Sequence, residues 1–317
     1  MGMMGGGCVK MKNKLRVAVI LMIVLLLPVL FSCKTESEDE DGHPKWAGVR
    51  VSSYGMEESY GDRFPDTNTM TWFGTKMTSC FDKSKAAYII IVGVMGDDEK
   101  TCHLQFPLSK EIQNAYGDEE DFYEKYLTAL DAAGASVWLQ VEPGNADLVE
   151  LAKEVMNRYK HHSCVKGFGI DVEWYKPEGT RGRGTKLDNA TARKVLAEVR
   201  KVKQSYTVFV KHWDGKWLPS AMDGLIYVND SQGFYPGKDS TALERMVQEF
   251  SNWAKTYAPQ PVMFQIGYEN DRDNIWGSMT NPVKELGTAI AEGCTSGNDM
   301  GIIWVDFTLK EAMRKIK

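Results

Sequence analysis

Histidine is scarce in this chain, at 5 of 317 residues, and so is cysteine, at 6. Beyond residue 33 only Cys80, Cys102, Cys164 and Cys294 remain, and their spacings match no zinc pattern. Four cysteines allow three pairings that sequence does not rank, and buried free thiols fit the composition equally well. His161-His162 closes a helical stretch with no third ligand nearby in sequence, so the pair reads as positive charge at a helix end and not as a metal site. Basic excess is missing too. Lys and Arg number 38 against 43 Asp and Glu, a net charge of −5, which argues against nucleic acid as a partner because phosphate binding rests on Lys and Arg. A Gly-rich phosphate turn is absent after the first strand-like run, where Ser52-Ser-Tyr-Gly-Met-Glu-Glu58 stands, and a dinucleotide fingerprint is thereby excluded. No cofactor and no metal are expected.

The N-terminal residues carry Lys10, Lys12, Lys14 and Arg16, then the apolar run Val17 to Phe31, and stop at Ser32-Cys33. This run is too short, and lacks the second charged flank, to be a membrane span, and residues 1–32 read as a secretory signal. Met11-Lys-Asn-Lys-Leu-Arg16 is a complete signal start by itself. Val29-Leu-Phe-Ser-Cys33 resembles the lipobox of bacterial lipoproteins, which implies that Cys33 is the lipid attachment site and the membrane anchor. Residues 33–45 form an acidic tether, since Lys34-Thr-Glu-Ser-Glu-Asp-Glu-Asp-Gly42 has no aromatic or aliphatic side chain to bury. Acid directly after the lipid cysteine also resembles the export signal of lipoproteins displayed on some Gram-negative bacteria, which implies an outer-membrane protein facing the cell exterior.

Residues 46–317 are long for an average domain and ordinary for one α/β barrel. Short apolar or β-branched runs fall at Gly48–Ser53, Ala87–Val94, Ser136–Glu142, Gly167–Trp174, Thr207–Trp213, Gly224–Asp230, Pro261–Gly267 and Gly301–Phe307. Between them lie helical stripes, among them Leu148, Leu151, Ala152, Val155 and Tyr159, then Val195, Leu196, Val199 and Val202, then Leu243, Met246, Val247, Phe250 and Trp253. Further helices are predicted at Asp118–Ala133, Asn281–Glu292, Thr308–Ile316 and Thr69–Lys83, with caps at Asn145, Asp188 and Asn281. Strict alternation of strand and helix over eight units predicts a (β/α)8 TIM barrel, with a doubly wound open sheet as the alternative.

Such a barrel works at the C-terminal ends of its strands. Here six strands end in polar residues: Gln140-Val-Glu142, Asp171-Val-Glu173, Lys211-His-Trp213, Asn229-Asp230, Gln265-Ile-Gly-Tyr268 and Trp304-Val-Asp306. Side chains there would otherwise point into a narrow interior of Val and Ile, so their convergence predicts a functional cleft. Gln140, Glu142, Lys211, Trp213, Asn229, Gln265, Tyr268 and Trp304 are the expected substrate-binding residues. Trp304 stands out among the aromatics, two residues before Asp306 on the same strand face.

Asp171 and Glu173 would share a strand face, where two crowded carboxyls relieve their repulsion when one keeps a proton, the state a general acid needs. The segment Gly169-Ile-Asp171-Val-Glu173-Trp174-Tyr175 resembles the fourth-strand motif Asp-Gly-x-Asp-x-Asp-x-Glu of glycoside hydrolase family 18, although that family's last acidic position falls on Tyr175. It also resembles the Asp-x-Glu of family 25, whose first-strand Asp is replaced here by Arg50-Val-Ser52-Ser53. The resemblance implies hydrolysis of a glycan containing N-acetylhexosamine. Glu173 would be the general acid and base, and Asp171 would orient it together with a substrate N-acetyl group acting as internal nucleophile. Asp306 or Glu142 would serve if a protein nucleophile were needed. A glycosidase of the clan with Glu on strands four and seven would need its nucleophile near Gln265, which cannot attack. Two rivals stand beside hydrolysis: a non-catalytic carbohydrate-binding barrel, and a divalent-metal hydrolase using Glu142, Asp171, Glu173 and Asp306. An ion pair from Lys211 would depress Glu173 and spoil it as an acid.

Overall fold

In chain order the strands are β1 (Trp46–Val51), β2 (Lys85–Met95), β3 (Cys102–Leu104), β4 (Ala115–Gly117), β5 (Ser136–Val141), β6 (Val165–Asp171), β7 (Thr207–Lys211), β8 (Leu225–Asn229), β9 (Val262–Ile266) and β10 (Met300–Trp304). All but β3 and β4 run parallel in sequence order, and β1 pairs with both β2 and β10, which closes the barrel and excludes the open sheet. The computed structural model describes residues 43–61, 63–177 and 184–317. Cys33, the signal and the tether through Gly42 lie outside the described residues, as do residues 62 and 178–183. Among the described residues no helix is long and apolar enough to cross a membrane.

The helices are α1 (Ser53–Tyr60), α2 (Thr67–Thr78), α3 (Glu124–Ala132), α4 (Leu148–Tyr159), α5 (Asn189–Val202), α6 (Ala242–Tyr257), α7 (Pro282–Gly293) and α8 (Leu309–Lys315). Local chemistry sets their starts. Asp188 and Asn281 cap α5 and α7 through their side chains, and Thr241 with Glu244 forms a capping box on α6. At α4 the cap is Asp147 and not Asn145, because the Asp147 carboxylate accepts from Val149 and Glu150 N–H. α3 starts later than its periodicity suggests, since Asp121 accepts from the N–H groups of Tyr123 and Glu124 and holds a turn there. α1 was not foreseen: it has a weak apolar stripe, and its N-cap, Ser52, is itself held by a distant carboxylate.

Two apolar layers result. The barrel interior holds Trp46, Ala87, Ile89, Trp138, Phe209, Ile226, Val228, Met263 and Ile303, while the larger layer lies between strands and helices. Strand alternation therefore assigns the faces. Residues in step with Phe209, Val228 and Met263 point inward, which sends Lys211, Asp230 and Gln265 up the barrel axis. Residues in step with Ile302 and Tyr227, namely Trp304 and Asn229, point at the helices. Cys80, Cys102, Cys164 and Cys294 are all free thiols.

Candidate active site

The fourth barrel strand, β6, stops at Asp171, and Glu173 sits in a 3-10 turn over Val172–Trp174. Gly169 makes this strand end work: a Cβ there would lie 2.1 Å from the Phe209 ring, so only glycine lets that ring fill the barrel beneath Asp171. Above the ring, Lys211 reaches three carboxylates. Its Nζ is 3.0 Å from Asp171 Oδ2, 3.0 Å from Glu173 Oε1 and 2.5 Å from Asp230 Oδ2. The feared ion pair therefore exists, but one cation is shared among three acids.

The charge balance decides the protonation. Burial raises Glu173 well above the usual carboxylate range, and the nearby Asp230 and Asp171 charges outdo the help from Lys211. Burial likewise lifts Asp171 to about 7 against the pull of Lys211. Asp230 is buried too, yet Lys211 and a hydrogen bond with Glu173 hold it below its ordinary value. Lys211, despite burial, is kept firmly charged by Asp171, Asp230 and Glu173. The consistent state is a neutral Glu173 beside an ionised Asp230, whose Oδ2 accepts from Lys211 and whose Oδ1 is buried without a hydrogen-bond partner in the protein.

Asp306 behaves differently. It is fully buried and accepts from Arg50 Nε at 2.9 Å, from the Arg50 terminal nitrogen, from Ser52 N–H at 2.5 Å and from Ser52 Oγ at 2.6 Å. Expected as a catalytic candidate, it is instead sealed, and Arg50 stands where family 25 has an acid. Glu142 is committed as well, accepting from the Tyr54 hydroxyl and from Met95 N–H, each at 2.7 Å. The four carboxylates of the metal reading do not form one cage, because Lys211 occupies the space between Asp171 and Glu173 and Arg50 holds Asp306.

A cleft of about 1030 Å³ opens beside the cluster, and its lining includes Glu173, Asp230, Trp213, Phe234, Tyr235 and Glu249. Of the three acids, Glu173 is the one with appreciable exposure, 17% against 3% for Asp171 and 6% for Asp230. Trp213 is exposed on this wall. Gln140 donates to Asp171 at 3.2 Å, and Tyr268 donates to Gln265 at 3.1 Å. Gln140 Oε1, Gln265 Nε2 and Asp171 Oδ1 are buried without a hydrogen-bond partner in the protein, a set of unmet polar atoms around the mouth.

Two expected contacts fail. Trp304 is fully buried in the helix layer, packed edge-on to Trp276, with its Nε1 donating to Thr308 at 2.9 Å and its ring against Gly267. Asn229 faces α6, receiving Ser231 N–H and approaching Glu249 at 3.5 Å. Both errors have one cause, a strand face taken one residue out of step. Asp230 is legible in the sequence only as a polar strand end, whereas Glu249 gives no signal, being one acid among many on an amphipathic helix. Glu269, the acid nearest to a seventh-strand nucleophile, is exposed and paired with Arg272.

No protein-family model matches this chain, and no curated protein matches it in sequence. Solved structures do resemble it. Endo-glycoceramidase II from Rhodococcus sp., as a lactosyl-enzyme intermediate, superposes with a TM-score of 0.51 at 11% identity, over 84% of this chain and 74% of that one. The same enzyme with a cellobiose-like isofagomine gives 0.51 at 10% identity, over 84% and 75%. A GH5-4 broad specificity endoglucanase from Clostridium longisporum gives 0.45 at 11% identity, over 83% and 86%. These neighbours are glycoside hydrolases, and the endo-glycoceramidase likeness, at 10–11% identity, shows the TIM-barrel fold alone.

Proposed function

We propose that this protein is a glycoside hydrolase in which Glu173 is the general acid and base, acting on a glycan that contains N-acetylhexosamine. The observation that carries this reading is the position of Glu173 on the wall of the cleft, where burial and the neighbouring Asp230 raise its carboxyl well above the usual range. Glu173 would pass its proton to the leaving glycosidic oxygen, and Lys211 would steady the carboxylate so formed. That carboxylate would then take a proton from the attacking water and restore the acid. Asp230 orients the Glu173 proton in the resting state, and Asp171 lies beneath, bonded to Gln140 and Lys211. Asp306 and Glu142 have their oxygens taken, so the nucleophile is best supplied by the substrate, whose 2-acetamido oxygen can attack the anomeric carbon. This is the feature that favours N-acetylhexosamine, in keeping with the family 18 resemblance.

The commitment of both Asp306 and Glu142 favours one rival, a barrel that binds glycan without turnover. Release of reducing sugar from N-acetylhexosamine polymers or N-glycans separates them. Loss of release in Glu173→Gln with glycan binding retained supports the hydrolase. Unchanged release removes Glu173 from the mechanism, and binding without product in the wild type favours the binding barrel. Anchoring through Cys33 at the outer surface belongs to the same proposal. Its check is Cys33→Ser, which should move the protein from the membrane to the soluble fraction and out of reach of labelling on intact cells.

A further inference from the structure

His161 and His162 follow α4 and precede β6, at the end of the barrel opposite the cleft. Sequence offered them no third ligand, but the fold brings one from α3. His161 Nε2 lies 2.9 Å, and His162 Nε2 3.2 Å, from the same oxygen, Glu124 Oε1. The three donor atoms lie within 4.8 Å of one another. A tetrahedral ion with bonds of about 2.0–2.1 Å holds its ligand atoms roughly 3.3 Å apart, so little movement is needed to seat one.

The second observation is at His162. Its side chain is 3% exposed, and its Nδ1 lies 2.7 Å from Asp131 Oδ2, so the tautomer with its hydrogen on Nδ1 would present the Nε2 lone pair to a metal. Nε2 makes no hydrogen bond, even with Glu124 so near. A buried imidazole nitrogen aimed at a carboxylate oxygen, with its other nitrogen tied to a second carboxylate, is the carboxylate–histidine arrangement that orients metal ligands. Asp131 is itself fixed, accepting from Cys164 N–H at 2.7 Å and Ser163 Oγ at 3.1 Å.

We propose that Glu124, His161 and His162 bind a borderline divalent transition metal of the zinc class, with Asp131 positioning His162. Two imidazole nitrogens select such an ion over Mg²⁺ or Ca²⁺. Glu124 and His161 are 45% and 55% exposed, which leaves the remaining coordination position to water and gives the ion a way in. The ion would clip α3 to the end of α4, a structural role apart from the cleft and independent of its function.

Zn²⁺ titrated calorimetrically into the metal-free chain tests this, with Co²⁺ absorption as a second readout. The expected result is one saturable ion per chain, a raised Tm and a Co²⁺ spectrum of nitrogen and oxygen ligands. His161→Ala and Glu124→Gln change exposed residues and should keep the metal-free Tm while weakening Zn²⁺ by at least about tenfold. Asp131→Asn should weaken it by roughly 10- to 100-fold, the usual effect of losing a partner that orients a ligand. Absence of saturable binding overturns the proposal, and so does binding unchanged in the His161→Ala, Glu124→Gln double variant.

Discussion

Two cations point up the same barrel, and they have opposite company. Arg50 meets one carboxylate, Asp306, which also receives both donors of Ser52, so charge and hydrogen bonds are matched and the pair is closed to the cleft. Lys211 meets three, Asp171, Glu173 and Asp230, and cannot neutralise them all. The surplus of acid raises the proton affinity of Glu173, which lies on the cleft wall. Burial is the first cause that favours the neutral form of Glu173, and the excess of acid over cation adds to it, whereas the matched Arg50 and Asp306 pair has no such excess.

The sharpest test of that contrast is Glu173→Gln. It should lower turnover by about 10²- to 10⁴-fold, the usual contribution of a general acid, while leaving the unfolding midpoint near that of the wild type. Asp306→Ala should do the reverse, costing roughly 3–5 kcal/mol in urea unfolding because Arg50 is left buried and unpaired. Loss of glycan release without loss of stability in Asp306→Ala would break the comparison.

The pH dependence of stability is the next effect in size. Asp171 is raised to about 7 by burial, so between the ordinary Asp range and pH 7 the folded chain holds a proton that the unfolded chain has released. Stability contributed by this group is complete in acid and is lost as pH rises through 7. Relative to Asp171→Asn, the wild type should weaken from pH 5 to pH 7 and run parallel above pH 8 in denaturant unfolding. The smallest effect belongs to Tyr54→Phe, which removes one hydrogen bond to Glu142 and should cost about 0.5–1.5 kcal/mol with glycan binding little changed.

Much of this architecture was legible beforehand, and the reasons are local. All eight barrel strands overlap the predicted runs, with ends shifted by up to three residues, because β-branched clusters broken by capped amphipathic helices carry their own period. Strand ends were less legible. Glu173 was expected on the strand beside Asp171, but β6 stops one residue after Ile170 and a 3-10 turn carries Glu173 to the cleft. Trp304 was expected in the mouth, yet alternation gives the interior to Ile303.

What the sequence determined by itself was the repeat of strand and helix, the polar ends of the strands and the Asp171-Val-Glu173 pair, all properties of short segments. Only the tertiary structure decided which acids share which cation. Arg50 and Asp306 are 256 residues apart and Lys211 and Glu173 are 38 apart. Charge balance is a property of what barrel closure brings together, and chain spacing holds no record of it.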